Sequence, residues 1–503
     1  MHDETLCIRR GPGALLGLAT ALIVVGLTQV ACGSDSPPSG LPSPPPPPPP
    51  GNAAYRIEYS TLFGGTGFEE IREPVLLSGG RLLFGARTLS ANAPVRPGAY
   101  QSSHGGGQGD AYLGIMSSDG TQLEAGTFFG GSGMERPPYG IAVTSNGDVV
   151  FTTGTTSPNI PTSASSYRRN LHSPVPTPGG GFVCRISGNL STLRWCSYTD
   201  GGWPRGGLRL DNQDNVIVTG GHVAQNFQMT PGAFQGSGTS TFTLKLNPAG
   251  TAAIFAARFG GGFSVRIRPS GELSLIGISN IAGFPTTSGA AQTTSRGLPD
   301  AYAALMRADG TGLVYSTFLS GSGVELAEHP HVLLPDGSIL FSGVTRSGDL
   351  PSAIGTPPGQ EDSFLAKLNP SGSAYEYVRY LGGPGDDSLL GPVLDVQGNI
   401  YMYGNTSSRN MATGDALQAS YQGGTRDGLL LVLSPDGSQI RFATYLGGDG
   451  DDLIRGVVIG SAGEIYVVGR TASSNFPTTP GAFQRQPGGD DDGFVVKLVP
   501  VNN

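Results

Sequence analysis

Residues 442–469 read FATYLGGDGDDLIRGVVIGSAGEIYVVG. A short apolar run enters Gly447-Gly448, a second begins at Gly456-Val457-Val458-Ile459, and Ser461-Ala462-Gly463-Glu464 turns the chain into Ile465-Tyr466-Val467-Val468 before Gly469. Strand-like runs joined by a tight polar turn are a hairpin pattern. The step recurs at Gly64-Gly65, Gly130-Gly131, Gly201-Gly202, Gly260-Gly261, Ser320-Gly321, Gly382-Gly383 and Gly447-Gly448, at intervals of 66, 71, 59, 60, 62 and 65 residues. Self-similarity at such a period indicates units that bury their apolar faces against neighbours.

Each unit holds four strand-like runs. The second run ends on a glycine in all seven, at Gly85, Gly154, Gly220, Gly277, Gly343, Gly404 and Gly469. A longer connection follows, in its fullest form Phe476-Pro477-Thr478-Thr479-Pro480-Gly481-Ala482-Phe483-Gln484. The third run pairs an Asp with an aromatic, as in Asp300-Ala301-Tyr302, Asp362-Ser363-Phe364 and Asp492-Gly493-Phe494, and a Pro/Gly β-turn leads to the fourth. Four antiparallel strands per unit, seven units and no helical period predict an all-β, seven-bladed β-propeller. Arg56–Phe63 is a fourth-type strand with nothing before it, and Phe494–Leu498 a third-type strand with nothing after it. These two should pair, so that the N-terminal strand closes the last blade and removes two open edges.

These motifs also resemble the SBBP repeat, the seven-bladed propeller repeat of bacterial surface proteins. Tyr-Ser-Thr-x-x-Gly-Gly, Phe-Pro-Thr-Thr-Pro-Gly-Ala-Phe-Gln and Phe-x-x-Lys-Leu-Asn-Pro-x-Gly carry the resemblance over about Ile57 to Pro500. It implies an extracytoplasmic propeller without an established catalytic site.

Residues 55–503 are therefore expected to be one propeller. Ahead of it, Arg9 and Arg10 flank the apolar run Ala14–Leu27, an export signal spanning residues 1–31 and too short for a comfortable membrane span. Val30-Ala31-Cys32-Gly33 resembles the lipobox of bacterial lipoproteins, which implies lipid on Cys32, and Gly33 after it implies the outer membrane. Gln29 departs from that pattern, and ordinary secretion is the alternative. Residues 32–54 include Pro44–Pro50 and form a Pro-rich disordered tether. Only 14% of residues are charged, the net charge is −8, and three lysines stand against 27 arginines with no basic block. Nucleic acid is excluded as a partner on that ground. A monomer is expected.

Cys184 and Cys196 flank one predicted hairpin in a compartment that permits disulfides, and they are expected to be joined. The acids after the steps are the metal candidates: Glu69, Glu135, Glu325, Asp386, Asp387, Asp451 and Asp452, with Glu70 beside the first. Placed on loops of one face they would suit Ca²⁺, although Trp203-Pro204 and Phe263-Ser264 leave the ring incomplete. The competing reading is that each acid accepts backbone N–H bonds. His329-Pro330-His331 reads as a solvated loop pair, and Lys245, Lys367 and Lys497 as a packing position. No nucleophile elbow, phosphate loop or His-Glu-x-x-His is present. The composite expectation is a lipid-anchored, non-enzymatic envelope propeller without a cofactor, a binding or structural module for a protein, glycan or envelope component. The alternative is a propeller hydrolase or lyase acting on polysaccharide. Unlike titratable groups converging in the central channel are what would speak for the second.

Overall fold

A computed structural model describes residues 53–501, apart from 173–178, 203, 205–206, 222, 224–226, 238–240, 260–261, 282, 328–329 and 358. The export signal, Cys32, nearly all of the tether, Trp203 and His329 lie outside the described residues. Seven antiparallel sheets follow one another along the chain as the blades of a β-propeller. The innermost strand of blade 1 is Glu69–Leu76, followed by Leu82–Thr88, Asp110–Met116 and the outermost Leu123–Phe129. The innermost strands of blades 2, 3, 4, 6 and 7 are Gly140–Val143, Gly207–Leu210, Gly262–Ile267, Asp387–Leu394 and Asp452–Ile459. In blade 5 the innermost strand is split into Glu325–Leu326 and Val332–Leu333, and Ala353–Ile354 adds a short parallel edge strand.

Closure is by the N-terminal strand. Tyr55–Phe63 pairs antiparallel with Asp492–Pro500, Leu62 opposite Phe494 and Phe63 opposite Gly493, and so completes blade 7. The cores sit between successive blades. Leu113 of blade 1 packs with Phe151 and Phe182 of blade 2, and Phe63 and Tyr466 of blade 7 with Phe84 and Tyr112 of blade 1. This is the repeat logic of a face that a single unit cannot bury.

Cys184 and Cys196 are directly opposite on adjacent strands of blade 2 and are disulfide-bonded, with Cα atoms 4.1 Å apart.

The structure corrects one reading. In six of the seven blades the glycine of the second run lies inside its strand, whereas Gly220 ends Val216–Gly220. Gly277 and Gly469 lie inside Leu273–Ser279 and Ile465–Thr471, where an added Cβ would stand 2.6 Å from Tyr302 Oη and 2.7 Å from the Phe494 ring. In blades 3, 4, 5 and 7 the glycine seats an aromatic of the third strand, Phe242, Tyr302, Phe364 or Phe494, while in blade 6 Gly404 stands opposite Leu429. In blades 1 and 2 that seat is Ala86 opposite Tyr112 and Thr153 opposite Phe182, so Gly85 and Gly154 are out of register with the rest.

Candidate functional site

The Gly-Gly step exposes two backbone donors in a sharp bend, and buried N–H groups need partners. The Gln that ends the long connection takes the first. Gly64 N donates to Gln484 Oε1 at 2.9 Å, Gly130 N to Gln101 Oε1 at 3.1 Å, and Gly447 N to Gln418 Oε1 at 3.2 Å. An acid four residues on takes the second. Gly65 N donates to Glu69 at 2.7 Å, Gly131 N to Glu135 at 2.9 Å, Gly321 N to Glu325 at 2.8 Å, Gly383 N to Asp387 at 2.7 Å and Gly448 N to Asp452 at 2.7 Å. Hydroxyls from the end of the second strand complete each carboxylate, as Thr155 and Ser157 do for Glu135 at 2.5 and 2.6 Å.

These five acids are fully buried, so they form no acidic surface. That corrects the expectation of a carboxylate face built from loop residues. It also separates the pairs: Asp387 and Asp452 are the equivalents of Glu69, whereas Asp386 is exposed and Asp451 accepts from Thr425 N at 2.6 Å. A carboxylate must stand four residues after the second glycine to reach its N–H, and Asp386 and Asp451 stand three.

A partner acid was missed in the sequence. The first residue of the preceding third strand, Asp492, Asp110, Asp300, Asp362 or Asp427, lies buried beside Glu69, Glu135, Glu325, Asp387 or Asp452 respectively. An added Cβ on Gly130 would stand 2.3 Å from Asp110 Oδ1 and 2.6 Å from Glu135 Oε2. The first glycine of the step leaves room for two carboxylates. Burial above all, then the neighbouring acid, pushes Asp362 up to about 6 and Asp427 up to about 7. The signal was legible: in the four pairs that do not cross the termini, the two acids are 25 residues apart.

The second feature lies on the axis, where the innermost strands of the blades meet. Arg209 and Arg266 occupy matching places in blades 3 and 4, opposite Ile217 and Ser274, each three residues before the seat glycine. Strand alternation buries Leu208 and Val265 in the blades and turns the arginines inward. Arg209 Nη1 donates to Leu208 O at 2.6 Å and Arg266 Nη1 to Val265 O at 2.9 Å; among the described residues neither forms an ion pair. Burial, then repulsion from Arg209, holds the Arg266 guanidinium well below its usual range.

Glu73 of blade 1 faces them. It sits at φ +50 inside a bulge between Arg72 and Val75, a conformation that costs a non-glycine residue about 1 kcal/mol or more. Burial pushes its carboxyl up to about 6 against the pull of Arg209, Arg266 and Arg72. Glu73 and both arginines keep some surface open to the channel while protein surrounds them. His331 and Tyr403 join from blades 5 and 6. The sequence suggested a solvated His331, and the structure corrects this. It is fully buried, with Nδ1 2.8 Å from Ser264 Oγ and Nε2 2.7 Å from Ser274 Oγ, and burial followed by Arg266 and Arg209 lowers its basicity well below normal.

Glu70 is engaged elsewhere, at the seam of blades 1 and 7. Arg72, Arg455 and Arg470 approach it at 2.5, 3.0 and 3.4 Å. Burial alone would raise its carboxyl, but the three guanidiniums hold it well below the usual range. A groove of about 790 Å³ between blades 1 and 2 is walled by Arg81 and Glu124, paired at 3.4 Å, and by Arg96, whose Nε donates to Leu123 O. It brings no unpaired chemistry together. The lysines of the repeat position are spent on neighbours: Lys245 on Asp211 and Lys367 on Glu376, each at 2.9 Å, while Lys497 lies over Tyr466.

No protein-family model matches the chain, and no curated protein matches it. Solved structures similar to it include a protein of unknown function from Dyadobacter fermentans, at 10% identity and TM-score 0.43 over 89% of this chain and 100% of that one. BamB from Moraxella catarrhalis follows at 10% identity and TM-score 0.40, covering 87% and 99%. Quinohemoprotein alcohol dehydrogenase from Comamonas testosteroni is similar at 8% identity and TM-score 0.40, covering 88% and 76%. At these identities and scores the likeness bears on neither partner nor chemistry.

Proposed function

We propose that this is a lipid-anchored propeller of the bacterial cell envelope, akin to SBBP-repeat proteins, that binds an anionic glycan or protein segment in its axial channel. One observation carries the reading: Arg209 and Arg266 are held side by side in the channel, without an ion pair among the described residues, in a chain of net charge −8. Two neighbouring buried guanidiniums repel each other, and a carboxylate or phosphate that met both would relieve this through charge-assisted hydrogen bonds. The sequence supplies the address, with Cys32 as the anchor.

The test is retention of the full-length protein on acidic and neutral polysaccharide matrices. Binding to the acidic matrix only, lost in Arg209→Gln with Arg266→Gln, supports the reading; equal retention of wild type and variant overturns it. For the anchor, Cys32→Ser should move the protein from the detergent-soluble to the aqueous fraction.

A second reading rests on Glu73. A strained carboxyl pushed up to about 6 beside arginines has the acidity of a general base. That suits a lyase, in which arginines neutralise a uronate carboxylate while one base removes the adjacent proton, a C=C bond forms, and the C–O bond to the neighbouring sugar breaks, its oxygen taking a proton from water. It suits a glycosidase less, because two free carboxyl groups are then needed and Glu70 is bound by three arginines. Unsaturated products from an acidic polysaccharide, absent with Glu73→Gln, would establish it.

A further inference from the structure

The paired acids at the blade junctions lack a basic counter-charge. Among the described residues the one ion pair that any of them makes is that of Asp110 with His104, Oδ1 to Nε2 at 3.7 Å. Two carboxylates are too few ligands for a Ca²⁺ ion, and among the described residues no three metal-ligating side chains gather. Yet the acids point at each other. The Oδ1 atoms of Asp110, Asp300, Asp362 and Asp427, each opening a third strand, are buried without a hydrogen-bond partner. A Cβ on the first glycine of the step would meet that same oxygen together with the opposing acid. From Gly382 it would stand 2.3 Å from Asp362 Oδ1 and 2.9 Å from Asp387 Oδ2, and from Gly447 3.2 Å from Asp427 Oδ1 and 2.6 Å from Asp452 Oδ2. At blades 4 and 5, Asp300 and Glu325 lie within hydrogen-bonding reach of each other. Two carboxylates have no donor between them, whereas a carboxyl and a carboxylate do. Native structures rarely leave buried polar oxygens unpartnered, and like charges sharing a buried site favour uptake of a proton.

The repeat supplies a second, independent observation. The two acids of a junction are both present or both missing. Where blade 3 follows blade 2, the third strand opens on Gly180 and no acid occurs from Gly201 to Leu210. Where blade 4 follows blade 3, Thr241 precedes the third strand and no acid occurs from Gly260 to Ile267. A carboxylate that served only to accept the step's N–H would have no need of the other acid. Each needs the other if one is the donor and the other the acceptor of a bond across the seam.

We propose that each of the five paired junctions holds one proton, shared by its two acids as a carboxyl–carboxylate hydrogen bond, and that these protons fasten blade to blade, so that the ring tightens in acid and loosens as the solution turns alkaline. The junction of blades 6 and 7 shows the surroundings. Asp427 Oδ2 accepts from Gln422 N at 2.6 Å, and Asp452 Oδ2 from Gly448 N and Ser473 Oγ, each at 2.7 Å, with Thr471 beside it. The titratable neighbours are Asp451, Tyr421 and Tyr445, and Arg409 lies over the Tyr421 ring, 5.1 Å from its centre. Burial above all pushes Asp427 up to about 7 and Asp452 up to about 6, and the two titrate as a unit. An unfolded carboxyl ionises near pH 4, so the native ring keeps protons that the unfolded chain gives up. The stability they supply is complete below about pH 4 and is lost as the pH rises through the raised folded values. None of this depends on the channel.

The experiment is infrared spectroscopy of the full-length protein, which reads the C=O stretch of a protonated carboxyl apart from carboxylates, beside denaturant unfolding across the same pH range. At about pH 5.5, between the unfolded and folded values, the native protein should show the band and the unfolded protein should not. At about pH 9 neither should. Asp427→Asn puts an amide N–H in place of the shared proton. It should weaken the band and melt no lower than wild type. Where the wild-type unfolding constant climbs with pH by up to tenfold per unit for each proton released, the variant should climb by one proton less. Should that variant fail to fold, Glu73→Gln decides, because it removes the raised carboxyl of the channel and should leave the band in place. A native spectrum without the band, a band that Glu73→Gln abolishes, or one that folded Asp427→Asn leaves whole with unchanged pH curves would overturn the proposal.

Discussion

Blades 1 and 3 meet the blade before them by different means. At blade 1, Glu69 receives the N–H of Gly65 and lies against Asp492 of blade 7. At blade 3 neither acid exists, and the innermost strand instead turns Arg209 into the channel. Blade 4 repeats the second arrangement with Arg266, while blades 2, 5, 6 and 7 repeat the first. The ring is thus five parts latched and two parts released, and the released arc carries the least compensated charges. A repeat protein needs every interface to hold, yet a site needs positions that escape the repeat. Here the escape is confined to two adjacent blades.

The largest effect should come from opening the latched arc. Deleting Arg56–Phe63 removes a strand from blade 7 together with buried Tyr59, Leu62 and Phe63, and exposes the edge of Asp492–Pro500. Each such side chain contributes about 1.5–3 kcal/mol by burial, and an open edge invites pairing with other chains. The deletion is expected to aggregate or to lose its cooperative melt. Unchanged solubility and melting temperature would mean that closure does not depend on this strand.

A single latch is worth less. Glu135→Ala leaves Gly131 N–H, Thr155 and Ser157 buried without their acceptor, and an orphaned buried donor costs about 1–3 kcal/mol. The expected loss is roughly 2 kcal/mol by chemical denaturation, since relief from Asp110 offsets part of it. A variant as stable as wild type would show that the carboxylate is held for another purpose than the step.

The architecture could be read from the chain because its signals are periodic and local. Glycine steps, turn tetrads such as Asn369-Pro370-Ser371-Gly372 and the leftover strand at Arg56–Phe63 each state one backbone requirement. The role of the acids was half legible. Their spacing to the step was visible, but their partners come from the previous blade, and only the fixed interval of 25 residues recorded it. The channel was not legible at all. Arg209 and Arg266 sit where blades 5, 6 and 7 have Val332, Val393 and Val458, and Glu73 reaches them across the ring from a bulge. No periodic pattern announces a departure from itself.

The released arc should also be the acid-sensitive one. His331 bridges blades 4 and 5 through Ser264 and Ser274, and it faces Arg266 and Arg209. Its folded-state basicity is depressed, so the unfolded chain takes up a proton that the native state refuses. Stability on this account is complete above pH about 6.5 and falls as pH drops below it, by up to about 1.4 kcal/mol per pH unit. Glu69, Glu325, Asp387, Asp452 and Glu73, whose folded values are raised, act in the opposite sense. The comparison of wild type with His331→Gln isolates the term: the variant should be weaker at pH 7.5 yet lose less between pH 6.5 and 5. Parallel pH curves would remove His331 from the account.

The smallest effect separates stability from site most sharply. Arg266 is surrounded by protein, is repelled by Arg209 more strongly than it is attracted by Glu73, and has no ion pair among the described residues, so its charge adds little that holds the blades together. Replacing a buried charge of this kind by an apolar side chain of similar length is commonly neutral or stabilising. Arg266→Met should therefore melt within about 1 kcal/mol of wild type, on the stable side, while binding to an acidic matrix falls sharply. Glu135→Ala should do the reverse, weakening the fold and sparing the binding. If Arg266→Met instead costs 2 kcal/mol or more, roughly what one latch is worth, then the arginines are structural and the two arcs differ only in the means of closing a seam.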